Sequence, residues 1–407
     1  GAGRRVAPAP ADGDAAVVEV ADLVAPGGVV AGTTDPDANT GLAEVAAVVD
    51  EAVLDQVVAA GGCLLVFAAG FADLDAARTE GETWIDVING HNAAYGEEMR
   101  GLAEGAGIAL ADVAMLNARY EITFGLMGDE AKAADEADGC TSFGALPEAT
   151  FNSHVILGQN WDWLAGVHGH CAVLRVSRND GPDFICFTEA GIVGGKMGVN
   201  EHGIGLVENG LVSDHDGRNR HEKPFHMRCR EVLDATTYEM ALLPVLATRR
   251  VCSANFVIGQ AGGDGDGDGE VINIETSPDA PSSHFPIDGL ITHSNHFTDP
   301  RHGPSQMERI GPSTLYRANR LDRLLRKNIG KLDMNHMAAA LGDHFGAPNA
   351  ICRHADARQS GAKQTMTNAS LVIDLENRSM HIADGPPCEN AFSYYPLKAG
   401  AASRAAE

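Results

Sequence analysis

At 407 residues, 44% hydrophobic and 21% charged, the chain is long enough for one large core or two medium ones. It has no run of 18 or more apolar residues, which excludes a membrane-spanning helix. Its net charge of −26 argues against nucleic acid or an anionic membrane as partner.

Residues 1–40, rich in Gly, Pro and Asp, read as a flexible N-terminal segment and a poor secretory signal. Apolar residues at helical spacing predict helices over 42–60 and 84–105, and from Leu110 through Glu121, so 41–139 reads as a helix-rich unit. A polar linker, 128–138, leads to Cys140; exposed linkers are where a chain can be cut. Beyond Cys140 come short β-rich runs bounded by Gly, Asn and Asp, at 154–157, 171–176, 184–188 and 204–207. Helices are predicted over 225–235 and 238–248, and strands over 255–258, 271–275 and 290–292. Two more helices, 313–327 and 334–341, precede a strand pair at 370–375 and 379–383. Strands grouped in this way make antiparallel sheets with helices outside, an α+β fold. Residues 140–407 read as the catalytic part, packed with 41–139 as one structural unit.

The 56 acidic residues face 30 basic ones, mostly Arg, a balance that resembles salt-adapted cytosolic proteins. The eight cysteines are scattered without a CxxC pair, which is neither a zinc framework nor a disulfide scaffold. One of them acting as a nucleophile suits a reducing cytoplasm. Cys140, in Asp138-Gly139-Cys140-Thr141, sits where helix-rich sequence gives way to strand-rich sequence. A free thiol of pKa about 8.5 needs a base, and an α-amine of pKa about 7.7–8.0 can serve. Cys140 owns such an amine only if the Gly139–Cys140 bond is cut, because an amide nitrogen is not basic. Gly139, without a Cβ, tolerates the backbone strain of an N-to-S acyl shift.

These residues, with Gly158-Gln159-Asn160-Trp161-Asp162, Phe187-Thr188-Glu189-Ala190-Gly191, His293-Ser294-Asn295-His296-Phe297 and Gly385-Pro386-Pro387-Cys388-Glu389, carry a resemblance. The chain resembles the acyl-coenzyme A:6-aminopenicillanic acid acyltransferase family of N-terminal-nucleophile hydrolases. The resemblance implies a four-layer αββα sandwich and autocatalytic cleavage between Gly139 and Cys140 into associated α and β chains. It also implies Cys140 as nucleophile, Asp162 beside the new amino terminus, and Asn295 as a side-chain donor to the oxyanion. Related choloylglycine and penicillin V hydrolases place an arginine at Arg317, although an arginine on a helix face ordinarily reads as solvated. Arg119 and Glu121, in the upstream segment, are candidate supports or simply an ion pair. The implied substrate is a small-molecule acyl amide, penicillin-type or another N-acyl amine, with acyl-coenzyme A as an alternative acyl donor. No cofactor is implied.

Asp264, Asp266, Asp268 and Glu275 fit the twelve-residue EF-hand calcium loop letter by letter. The flanks read as strands and not helices, which disfavours calcium. The alternatives to a self-processing acylase are a non-cleaving calcium-binding or interaction protein on the same fold, and a conventional Cys-His hydrolase using His296.

Overall fold

The computed structural model describes residues 17–24, 74–126, 139–263, 268–303, 305–359 and 364–398. The predicted helix 42–60 and linker 128–138 lie outside the described residues. So do Asp264 and Asp266.

Helices α1 (Leu74–His91), α2 (Ala93–Ala106) and α3 (Leu110–Asn117) form the N-terminal part, followed by short helical turns through Leu126. The single helix predicted over 84–105 is in fact two. Asn92 adopts an extended conformation and its side chain accepts the Tyr95 amide, an N-cap that ends one helix and starts the next.

Two antiparallel sheets follow. The larger has the order β1-β4-β5-β6-β7-β8-β9-β10, from β1 (Val17–Val24) and β4 (Cys171–Ser177) through β5 (Phe184–Glu189), β6 (Met197–Asn200), β7 (Ile204–Gly210), β8 (Ala254–Gln260) and β9 (Glu270–Thr276) to β10 (Pro281–His284). The smaller has the order β11-β2-β3-β12-β13-β14. Its strands are β2 (Thr141–Ala145), β3 (Ile156–Leu164), β11 (Leu290–His293), β12 (Thr365–Asp374), β13 (Ser379–Asp384) and β14 (Ser393–Pro396). Strand β1 lies inside the segment expected to be flexible. It pairs antiparallel with β4, and its four valines in eight residues suit a pleated strand.

The sheets stack face to face. Leu157, Trp161, Leu371 and Ile373 of the smaller sheet share one buried core with Phe187, Val199, Leu206 and Phe256 of the larger. Helices α4 (Phe225–Leu233) and α5 (Tyr238–Leu246) cover the outside of the larger sheet. Helices α6 (Thr314–Arg326) and α7 (Met334–Leu341) cover the smaller one, where Leu321, Leu325, Met337 and Leu341 pack on Phe143, Ala145 and Val372. The result is a four-layer αββα sandwich. Covering both faces also explains why β3 is buried along its whole length, although it carries the polar Gln159, Asn160 and Asp162. No helix among the described residues is long and apolar enough to cross a membrane.

Candidate active site

Strand register builds the site. β2 pairs with β3 at Thr141↔Asn160 and with β11 at Ser142↔His293. Continuing both ladders by one or two residues sets Gly139 beside Asp162 and Cys140 beside Asn295. Residues 23 and 155 positions apart in sequence thus meet through pairings that the short strands fix.

Cys140 is fully buried, and its Sγ lies 3.8 Å from the Asp162 carbonyl oxygen. The Asp162 side chain faces the α7 side of the sheet. One of its oxygens accepts from Thr367 Oγ1 at 2.6 Å and the other from Arg353 Nε at 3.2 Å. Thr367 sits opposite Asp162 in the β12–β3 ladder, so register again explains the contact. Asn295 Nδ2 donates to the Gly210 carbonyl at 2.9 Å, which orients its amide plane, and its backbone N–H donates to Thr314 Oγ1 at 2.8 Å.

Arg317 departs from the expectation of a solvated helix-face arginine. It is 1% exposed. Its Nη1 donates to the Gly139 carbonyl, to the Cys140 carbonyl at 2.6 Å and to Thr141 Oγ1 at 2.6 Å, while Nη2 donates to Asn295 Oδ1 at 2.7 Å. One guanidinium therefore spans the Gly139–Cys140 junction and the candidate oxyanion donor.

Arg119 and Glu121 are buried, but not as a simple ion pair. Arg119 pairs with Glu189 and lies over the Trp163 ring, its carbon centre 5.1 Å from the centroid. Glu121 accepts the Phe225 amide at 2.7 Å, and burial pushes its carboxyl up to about 7. Lys196 completes the first group, 3.0 Å from Glu189, 3.6 Å from Glu208 and 3.9 Å from the Trp161 ring centroid. Burial alone would raise the Glu189 carboxyl, yet Arg119 and Lys196 hold it at about 2. This network stands against Trp161 and Trp163, between the sheets. Removing one partner of a buried ion pair strands the other charge, so Lys196→Met should cost roughly 3–5 kcal/mol. Urea denaturation at pH 7 measures this; a loss under about 1 kcal/mol would mean that the pair is screened by water.

Glu275 belongs to another structure than a calcium loop. It is buried on β9, which forms a hairpin with β8, so the flanking helices of an EF-hand are replaced by strands. Its carboxylate accepts from His293 Nε2 at 2.8 Å, Thr298 N at 2.7 Å and Asp299 N at 3.0 Å. It therefore shapes the loop that carries Asn295. Asp268 is exposed.

Sequence reasoning missed Arg353, Thr367 and Asn209. Asn209 Oδ1 accepts from Ser142 Oγ at 2.5 Å, tying the larger sheet to the strand that Cys140 leads. Arg353 also walls Gly139: a Cβ added there would lie 2.4 Å from Arg353 Nε, so a larger residue would have to displace the guanidinium that holds Asp162. Arg353 lies in a loop with no periodic pattern to flag it.

Known proteins bear on this arrangement. The acyl-coenzyme A:6-aminopenicillanic acid acyl-transferase family matches the chain over residues 150–387. The 40 kDa form of acyl-coenzyme A:6-aminopenicillanic-acid-acyltransferase from Emericella nidulans is 28% identical over 297 residues, covering 72% of this chain and 75% of that relative. Among solved structures, the chain is similar to an N-acylethanolamine-hydrolyzing acid amidase ortholog of Caenorhabditis elegans, at 14% identity and a TM-score of 0.43, over 58% of this chain and 93% of that one. It is also similar to penicillin V acylase from Agrobacterium tumefaciens, at 14% identity and a TM-score of 0.39, over 60% of this chain and 83% of that one.

Proposed function

This chain belongs to the acyl-coenzyme A:6-aminopenicillanic acid acyl-transferase family, and from that premise we propose that it cuts itself before Cys140 and then uses Cys140 as an acyl-accepting nucleophile. The enzyme class, amide hydrolase or acyltransferase acting on C–N bonds, comes with the family. The observation that carries the finer reading is Arg317, buried and aimed at the carbonyl oxygen of the bond to be cut.

Processing runs as an N-to-S acyl shift. Cys140 Sγ adds to the Gly139 carbonyl, and the developing oxyanion meets a guanidinium already in place. The Cys140 nitrogen leaves with a proton, giving a thioester between Gly139 and Sγ. Water hydrolyses that thioester to a Gly139 carboxylate, a free thiol and a free α-amine. The new amine is released beside the register position of Asp162 on β3, and in this reading the Asp162 carboxylate, itself held by Arg353 and Thr367, favours the ammonium form.

In turnover the amine takes the thiol proton, and the thiolate attacks the acyl carbonyl of a small-molecule amide. In this reading the second amide hydrogen of Asn295, whose first is held by the Gly210 carbonyl, stabilises the resulting oxyanion. The α-ammonium protonates the leaving amine, and water or an amine acceptor resolves the thioester. An N-acyl amine of the penicillin type, or acyl-coenzyme A as donor, fits this chemistry. A Cys-His pair built on His296 is disfavoured, because burial and then His293 and Arg317 push that ring down to about 4, too weak a base for a thiol. His296 Nδ1 also lies 3.0 Å from Thr314 Oγ1.

Intact mass and N-terminal sequencing of the purified protein test the reading. Two chains are expected, the second beginning Cys-Thr-Ser-Phe. A preparation that hydrolyses acyl amides while remaining one chain refutes it.

A further inference from the structure

Outside the catalytic centre the fold gathers four side chains, three from one connection and one from a distant loop. His344 follows α7, Cys352 and His354 flank Arg353 further along the same connection to β12, and Cys388 lies beyond β13. Their ligand atoms all fall within 4.8 Å of one another. His344 Nε2 and His354 Nε2 are 3.1 Å apart, Cys352 Sγ and His354 Nε2 3.6 Å, Cys388 Sγ and His354 Nε2 3.3 Å, and the two sulfurs 3.5 Å.

These separations have a simple chemical meaning. Metal–nitrogen bonds of about 2.0–2.1 Å and metal–sulfur bonds of about 2.3 Å, spread tetrahedrally, hold their donor atoms roughly 3.3–3.8 Å apart. Two sulfurs at 3.5 Å are too far apart for a disulfide, whose bond is about 2.05 Å. A second feature supports ligation: His354 turns its other nitrogen, Nδ1, toward Glu389 Oε1 at 3.6 Å. A carboxylate behind the distal nitrogen of a metal-bound imidazole fixes its tautomer and raises its basicity.

We propose that His344, Cys352, His354 and Cys388 form a tetrahedral structural site for a zinc-type divalent cation. Two thiolates and two neutral imidazoles are the donor set that such an ion takes, and four protein ligands leave no open position for catalysis. The expectation of no zinc framework rested on the missing CxxC spacing; here three ligands come from the long connection between α7 and β12 and the fourth from the loop after β13. The site has a positional consequence. Between two of the ligands stands Arg353, whose side chain holds Asp162 and whose backbone N–H donates to Thr367 Oγ1 at 2.9 Å. A metal closing the loop would fix Arg353 against Asp162 from behind. Binding requires neither self-cleavage nor turnover, so its test is independent of the acylase reading.

The test uses the full chain, purified under reducing conditions, treated with chelator, dialysed, and reloaded with zinc chloride or cobalt chloride. Elemental analysis should find about one ion per chain, falling to roughly a tenth of that in Cys388→Ser and His344→Ala, whose substituted positions are exposed. Cobalt should give the visible bands of a tetrahedral ion and a thiolate charge-transfer band, both lost in Cys388→Ser. Zinc should raise the Tm of the chelated wild type and leave that of Cys388→Ser unchanged. Metal content that is negligible in wild type, or unaltered in both variants, overturns the proposal. So does a reduced wild type that takes up no ion but reoxidises to lose two titratable thiols, since the pair would then be a redox couple.

Discussion

Cys140→Ala should remain a single chain of 42.6 kDa however long it is incubated, and its acyl-amide turnover should fall to background. The alanine removes the only atom that can start both reactions, so the two losses must come together. The side chain lies in a well-packed core, and trimming one sulfur there costs on the order of 1 kcal/mol, which leaves a folded protein to assay. Cys140→Ser should cut slowly, because a hydroxyl is the weaker nucleophile in the same geometry. Three other buried thiols among the described residues are poor substitutes. Burial pushes Cys186 up to about 12 and raises Cys171 and Cys229 well above the ordinary thiol range, so none is a thiolate at neutral pH. Denaturing gels over a time course, with mass spectrometry of the bands, decide the matter. Cleavage of Cys140→Ala at Gly139 would sink the nucleophile assignment.

The meeting of the candidate residues follows from strand pairing. Cys140, Asp162 and Asn295 were assigned through the family resemblance; Asp162 lies on β3, Cys140 just precedes β2 and Asn295 just follows β11, and a two-residue pleat leaves little freedom once those strands pair. Helix boundaries were less legible: Asn92 splits one apolar pattern in two through a cap that periodicity alone does not register. The burial of Arg317 departs from the solvated reading for an instructive reason. On α6 the buried positions are Thr314, Arg317, Leu321 and Leu325, a stripe at helical spacing, so the arginine stands on the apolar face. A charge on that stripe signals a buried partner, and the signal was present in the sequence. Arg353 and the four candidate metal ligands carried no such signal. They lie in loops, where neither a period of 2 nor one of 3.6 applies, and only tertiary closure brings them together.

Arg317→Lys should slow cleavage of the Gly139–Cys140 bond by about 10²–10³-fold, the usual effect of losing an oxyanion donor. Lysine keeps the charge but not the fork. A single ammonium cannot reach the Gly139 carbonyl, Thr141 Oγ1 and Asn295 Oδ1 together as the guanidinium does. The expected outcome separates two roles. If Arg317 polarises the carbonyl under attack, processing slows while the Tm stays within a few degrees of wild type, since the buried positive charge is retained. If it only braces α6 against β2, processing slows no more than the Tm falls, and a compensating low temperature restores the rate. The oxygens around Nη1 favour the first role. Taken out of water, a cation gains most from an oxygen that becomes more negative, and of these only the Gly139 carbonyl does so as the thiol adds. Cleavage of Arg317→Lys at the wild-type rate would remove Arg317 from the chemistry, leaving Asn295 to meet the oxyanion unaided.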